Sequence, residues 1–235
     1  MPRTIPPARF DALVRAATLV FLRQGYRRTQ MSDVAAELGV AKGTLYLYVE
    51  SKEALFEQTL LHADRIAPIP VPKALPIPTP RPGSTLRKVR QRLARESALP
   101  ELAAALARRK ASDSRVEAEA IVRELVRLLA SHRVAIKLFD RCATDFPELA
   151  ALWFSAGRSG VVALLEQYLR KRIATGQFAA VKDPALAARL VLELVAYWAV
   201  HRHWDPAPNA AVVSDELAEA AAIEFVSRAL HGDLP

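Results

Sequence analysis

The stretch Leu38-Gly39-Val40-Ala41-Lys42-Gly43-Thr44-Leu45-Tyr46-Leu47-Tyr48-Val49-Glu50-Ser51-Lys52-Glu53-Ala54-Leu55 carries the signals of two short helices meeting at a tight turn. Just before it, Met31, Val34, Ala35 and Leu38 repeat at i, i+3, i+4 and i+7, an amphipathic helix that ends on Gly39. A second short helix begins about three residues later, the spacing of a helix-turn-helix. Gly39, with no Cβ, tolerates the positive φ that such a turn demands. Lys42, Gly43 and Thr44 then fall in the first turn of the second helix, where a cation, a gap and a hydroxyl can reach base edges and phosphates. Tyr46 and Tyr48 follow. Ser51 reads as the cap of a further helix, whose free N–H groups together with Lys52 form a phosphate seat.

Upstream, Phe10, Leu13, Val14, Ala17, Val20 and Phe21 make one apolar helical stripe that stops near Gly25, and Thr29 can cap the helix carrying Met31. These stripes predict a three-helix core. Residues 1–7, with three prolines and Arg3, predict an extended arm. Preceded by Gly25-Tyr26-Arg27-Arg28-Thr29-Gln30-Met31-Ser32-Asp33-Val34-Ala35, the opening stretch resembles the DNA-binding domain of the tetracycline-repressor (TetR) family of bacterial transcription regulators, over residues 8–62. The resemblance implies that Lys42, Gly43 and Thr44 face the major groove of a double-stranded DNA operator and that Tyr46, Tyr48 and Lys52 contact phosphates. Thr29 and Gln30 join the same DNA-binding set. Tyr46 keeps a second reading, a core ring with a satisfied hydroxyl. Three positions depart from the family pattern: Ala41 offers no capping oxygen, Leu47 replaces an often polar residue, and Val49 stands where phenylalanine is usual. The first costs about 1 kcal/mol of local helix stability.

An apolar content of 51% over 235 residues supports a sizeable core, and eight glycines amid abundant Ala, Leu, Arg and Glu favour helix over sheet. The expected fold is all-α. The single cysteine, Cys142, cannot form an intramolecular disulfide, and neither a charged-then-apolar leader nor a membrane-length apolar run is seen, which points to the cytoplasm and no membrane. The formal charge of +8 suits a polyanion, yet its distribution is uneven. Residues 1–62 hold eight Lys and Arg against six acids, 63–115 twelve against four, and 116–235 thirteen against fifteen. The excess centres on Arg87, Lys88, Arg90, Arg92, Arg95, Arg108, Arg109 and Lys110, which read as a solvated helix face or as auxiliary phosphate contacts.

A helix is predicted over 52–66, the family's lever between ligand pocket and DNA. Behind it come Pro68, Pro70, Pro72, Pro76, Pro78, Pro80 and Pro82, seven prolines in fifteen residues, which cannot be helical. Ile69, Val71, Leu75 and Ile77 alternate with them and are too apolar for a solvated spacer, so the run is expected to pack on the regulatory body. A docking site for a proline-binding partner is the sharper alternative. Further helices are predicted over 85–109 with a break near Pro100, from a cap at Ser112 or Asp113 to 139, from Pro147 to Gly176, from Pro184 to 203, and from a cap at Ser214 to 230. The domain order is then 1–62 helix-turn-helix DNA-binding domain, 63–83 proline-rich connector and 84–235 helical regulatory and dimerisation domain.

The last two helices, with Ala187, Ala188, Leu190, Val191, Leu194 and Val195 on one and Leu217, Ala220, Ala221, Ile223, Phe225 and Val226 on the other, suit either burial within one subunit or a helical interface. The resemblance implies the latter, a homodimer through a two-fold four-helix contact. It also implies a small-molecule effector in a cavity between the middle helices. Candidate lining residues are His132, Phe139, Cys142, Phe146, Trp153, Phe154, Tyr197, Trp198 and His201, which mix aromatic surface with polar tips. No cofactor is expected. The sequence has no Glu-x-x-His pair of the di-iron kind, no His-Glu-x-x-His, no phosphate-cradling glycine loop and no cysteine cluster, which argues against an enzyme and a metal site. A helical adaptor that binds protein through the proline segment or the basic helix is the alternative to a DNA reader.

Overall fold

The computed structural model describes residues 7–206 and 212–232, apart from the side chains of residues 7, 153, 155 and 156. Of the arm expected over 1–7, residues 1–6 lie outside the described residues, as does the Trp153 side chain, and Pro7 already begins the first helix. Twelve α-helices follow one another and no strand occurs among the described residues. The chain folds as two units, one of residues 1–96 and 134–152, the other of 97–133 and 153–235.

The first unit opens with α1 (Pro7–Gln24), α2 (Met31–Leu38), α3 (Lys42–Leu45) and α4 (Lys52–His62). Phe10, Leu13, Val14, Ala17, Val20 and Phe21 of α1 are buried with Val34, Leu45, Val49, Leu55 and Leu60, so the apolar stripes meet as their periodicity requires. Ser51 caps α4 by accepting the Ala54 N–H at 3.2 Å. The helix expected to reach Ile66 ends at His62.

His62 is half-buried there, and burial first, then Arg65 and Arg92, hold its pKa below the ordinary 6.5. Below that value the unfolded chain binds a proton that the folded one resists, so stability falls with pH until the folded pKa is passed. His62→Gln is expected to flatten part of the drop in thermal midpoint between about pH 7 and about pH 5. An unchanged slope would show that His62 carries none of it.

The proline run packs on the head, not on the regulatory body as expected. Ile69 is buried and its N–H donates to Asp11 Oδ1 of α1 at 2.9 Å. Further on, Ile77 N–H donates to Tyr48 O at 2.8 Å and Glu50 N–H to Ile77 O at 2.9 Å, a one-residue parallel bridge of Val49 with Ile77. Thr79 closes the tie, its N–H on Glu50 Oε2 at 2.9 Å and its hydroxyl on Ser51 Oγ at 3.0 Å. The residues between prolines keep their N–H groups, and these find acceptors at the carboxyl end of the helix-turn-helix. Two residues past Pro82, α5 (Ser84–Glu96) docks on α4, with Thr85 and Lys88 on the Glu57 carboxylate and Arg92 on Leu60 O and Asp64.

Asp64 also decides a break that the sequence conceals. Its Oδ1 accepts the N–H groups of Val134 and Ala135 at 2.9 and 3.0 Å. A new helix, α8 (Arg133–Cys142), therefore starts where one continuous helix to 139 was expected, and α7 (Ser114–Ser131) stops short of it. After α9 (Pro147–Ala151) a π-helical stretch (Leu152–Arg158) interrupts the helix expected from Pro147 to Gly176, which resumes as α10 (Ser159–Ala174).

The second unit is a bundle of α6 (Pro100–Ala107), α7, α10, α11 (Pro184–Ala199) and α12 (Asp215–His231). Asp113, Asp183 and Ser214 cap α7, α11 and α12 through their side-chain oxygens. Among the described residues the largest buried polar side chains of this unit are two arginines, Arg172 and Arg202, the latter bonded to Trp198 O, Val213 O and Asp215. Arg172 of α10, fully buried, meets Glu117 of α7 at 2.6 and 3.0 Å and also donates to Ala105 O at 2.8 Å.

Candidate nucleic-acid interface

Gly39 takes φ 71° at the end of α2, and its N–H and that of Val40 close on Ala36 O and Ala35 O at 3.1 and 3.0 Å. A side chain at this left-handed position costs roughly 1–2 kcal/mol, which is why glycine stands there. The turn delivers α3 with Leu45 buried beneath it and Lys42, Gly43, Tyr46 and Leu47 on the surface, the last two 41% and 55% exposed; Thr44 is half-buried. Ala41 supplies no capping oxygen. Gly43 faces open space, since nothing lies within 4 Å of an added Cβ. Gly43→Ala is therefore expected to leave the thermal midpoint of the free protein unchanged or slightly raised; a lowered midpoint would show that the glycine serves the fold.

Not all of the sequence-derived set reaches the surface. Thr29 is buried and donates its hydroxyl to Gly25 O at 2.7 Å, so it does not cap α2. The N-cap is the exposed Gln30, whose N–H goes to Asp33 Oδ2 at 2.8 Å. Tyr48 is buried with its ring stacked on Phe10. Lys52 is half-buried, donating to Tyr26 O and Thr29 O at 3.1 and 3.0 Å and lying 4.3 Å from the Tyr26 ring centroid. It fastens the start of α4 to the loop before α2.

Tyr26, which stands in the stretch that carries the resemblance but takes no role from it, organises this loop. Its hydroxyl donates to Glu53 at 2.8 Å, and burial, then Glu53, raise its pKa well above that of an ordinary phenol. Its ring contacts Phe21, Phe56 and Phe146 at centroid distances of 6.0, 4.8 and 4.5 Å. Around it, Arg27 N–H donates to Asp145 at 2.7 Å and Arg141 to Arg23 O at 2.8 Å, so residues 141–146 are fixed to the reading head. No spacing rule exposes partners 118 positions apart.

The nine candidate pocket residues are distributed over both units. Phe139, Cys142 and Phe146 belong to the first unit, and His132, Phe154, Tyr197, Trp198 and His201 to the second. The break at His132 is the reason, because it hands residues 134–152 to the head. Phe146 stacks on Phe56 at 5.2 Å. Cys142 is buried, and burial pushes its thiol pKa up to about 12, the opposite of a reactive thiolate. Tyr197 donates to Asp205 at 2.6 Å. Trp198 lines an open groove of about 390 Å³ with Arg123, Arg127, Asp215 and Glu219, whose charges are already paired with one another or with Arg133. A narrower apolar seam runs between α7, α10, α11 and α12, past Ile121, Leu165, Tyr168 and Val191, with room of about 10 Å³. The buried Tyr168 hydroxyl on this seam has no hydrogen-bond partner among the described residues. Among the described residues no group of acids, histidines and cysteines is arranged to hold a metal, and no helix is long and apolar enough to cross a membrane.

Residues 13–59 match the model for "Bacterial regulatory proteins, tetR family", and residues 118–226 that for "AefR-like transcriptional repressor, C-terminal domain". The fatty acid metabolism regulator protein of Bacillus subtilis (strain 168) is 40% identical over 45 residues, 19% of this chain and 23% of that protein. The matched stretch thus spans about a quarter of that relative's length. Across the fold, AibR in complex with isovaleryl coenzyme A and operator DNA superposes with a TM-score of 0.54 at 18% identity, covering 93% of this chain and 97% of AibR. A TetR-family regulator from Streptomyces coelicolor A3 gives 0.53 at 21% identity over 100% of this chain and 92% of its own. Both halves of the chain match models of the same class of regulator, over about two thirds of its length, and the chain belongs to the TetR family of bacterial regulatory proteins.

Proposed function

We propose that the chain is a cytoplasmic, DNA-binding transcriptional repressor, a homodimer that a small hydrophobic or aromatic ligand releases from a palindromic operator. The observation that carries this reading is the surface of α3: Lys42 and Gly43 on this four-residue helix and Tyr46 just after it stand exposed while Leu45 is fully buried, so the turn presents polar groups on a rigid base. Residues 8–62 are assigned the reading role, with Lys42 and Thr44 on base edges and Tyr46 on phosphate. Lys52 and Tyr48 position the turn from within.

Dimerisation is supported by α11 and α12. Leu186 and Leu190, one helical turn apart, and Leu217 and Phe225, two turns apart, are all more than half exposed, an apolar face out of keeping with a solvated surface. The seam beside Tyr168 suits an apolar ligand with one polar atom for the phenol, once opened from its present size. Acyl thioesters of the kind bound by AibR are the first class to try. The route to the head runs along the chain, since α7 leads directly into α8, and residues 141–146 grip the loop that holds Lys52. A ligand that favours another arrangement of the bundle thereby shifts the population of reading-competent heads.

The test is an anisotropy titration of the intact chain and its Lys42→Ala and Thr44→Ala variants on a selected duplex and a scrambled one. Removing either base-reading side chain is expected to cost about 1–3 kcal/mol on the selected duplex alone. Equal affinity of the parent chain for both duplexes would rule out a reading head.

A further inference from the structure

Unit by unit, the positive charge sits elsewhere than its place in the sequence suggests. The residues of the first unit hold eighteen Lys and Arg against eleven acids, those of the second fifteen against fourteen. Most of the difference is α5, whose Arg87, Lys88, Arg90, Arg92 and Arg95 stand against Glu96 alone; the proline strap, residues 68–82, adds Lys73 and Arg81 with no acid and folds back on the helix-turn-helix. Its register is set by main-chain bonds from Ile77 to Tyr48 and from Glu50 to Ile77, and by Thr79 on Glu50 and Ser51. These ties fall between the exposed Tyr46–Leu47 corner and the first turn of α4, along the edge of the reading turn.

Lys73 and Arg81 lie four residues before and four after Ile77, and both are exposed. Several neighbouring cations are engaged, Arg15 with Asp11, Arg65 with Pro68 O, Lys88 with Glu57, Arg92 with Asp64 and Glu96, while Arg87 and Arg90 of α5 are exposed like Lys73 and Arg81. Neither the Lys73 nor the Arg81 side chain makes an ion pair or hydrogen bond among the described residues. The carboxylates at this edge are already in use, Glu50 by the Thr79 N–H and Glu53 by the Tyr26 hydroxyl. Both cations are thus carried on a segment that proline stiffens and main-chain bonds fix, so that little ordering is needed to place them.

We propose that the strap is an accessory DNA-binding element, in which Lys73 and Arg81 take phosphates of the duplex flanking the groove that α3 reads. Such contacts carry no base information; they add affinity and fix the head's orientation. The inference rests on the DNA-binding function proposed above and adds an element outside the helix-turn-helix to it.

The test uses the full chain and its Lys73→Ala/Arg81→Ala variant on the selected duplex over a series of salt concentrations. The slope of log Kobs against log salt is expected to become shallower by about 0.9 for each phosphate no longer neutralised, about 3.6 for a dimer that gives up four, with the preferred sequence unchanged. Lys73→Arg/Arg81→Lys, which keeps the charges, is expected to retain the parent slope, and so is Lys182→Ala, which removes an exposed cation from the second unit. A parent slope in the double alanine variant, with the parent still reading its operator, would overturn the accessory role of the strap and leave the reading head intact. A parent chain that binds no DNA at all would overturn both.

Discussion

Glu117→Ala is expected to lower the unfolding free energy of the second unit by about 3–5 kcal/mol, because it strands a charge that has no route to water. Arg172, its partner, is 0% exposed. Its guanidinium reaches Glu117 with Nε and Nη2 at 2.6 and 3.0 Å, Ala105 O with Nη2 at 2.8 Å, and Arg108 O and Arg109 O with Nη1 at 3.4 Å, so one side chain joins α10 to α7 and to the end of α6. The carbonyls that remain after the substitution cannot neutralise it. Arg172→Met is expected to cost less, since it fills much of the volume and leaves Glu117 beside Arg108, 3.7 Å away and partly exposed. Urea unfolding followed by far-UV circular dichroism measures both, and a loss below about 1 kcal/mol for Glu117→Ala would mean that the pair does not hold the bundle together.

Leu190→Glu combined with Phe225→Glu is expected to convert the proposed dimer to monomer and to weaken operator binding by about 10²- to 10⁴-fold, the contribution of a second linked half-site. The side chains are 61% and 55% exposed in the single chain, so charging them leaves its own packing intact. Sedimentation at micromolar concentration reads the first effect and anisotropy the second. A variant that stays dimeric would place the interface elsewhere, and one that becomes monomeric without losing affinity would show that single heads suffice.

Most helix boundaries were legible where the signal lies within a turn of the boundary, Thr29 being an exception because its hydroxyl turns back to Gly25 O. Gly39, Ser51, Asp113, Asp183 and Ser214 act where their residue types placed them, because a cap bonds to N–H groups two or three positions away. Breaks made from a distance left no local trace. Nothing near His132 stops a helix; the carboxylate of Asp64, some seventy positions earlier, starts the next one. The proline run was readable as extended and packed, but its acceptors, Tyr48 O and the Glu50 carboxylate, become apparent only once the helix-turn-helix has formed. The same limit governs the candidate site. Lys42, Gly43 and Tyr46 are surface residues by their helical positions, whereas the burial of Tyr48 against Phe10 and the capture of Lys52 by Tyr26 and Thr29 depend on α1 and on the loop before α2. Of the aromatic residues that the resemblance grouped around a cavity, Phe139 and Phe146 fall in the first unit and Phe154, Tyr197 and Trp198 in the second, an assignment that follows the break at His132.

Selection of bound fragments from a random DNA pool by the intact chain bears most directly on the proposal of a dimeric DNA reader. Inverted half-sites with centres about one helical turn apart, roughly 34–36 Å, are expected in the enriched pool. Enrichment of a lone half-site, or of no common sequence at all, would contradict it.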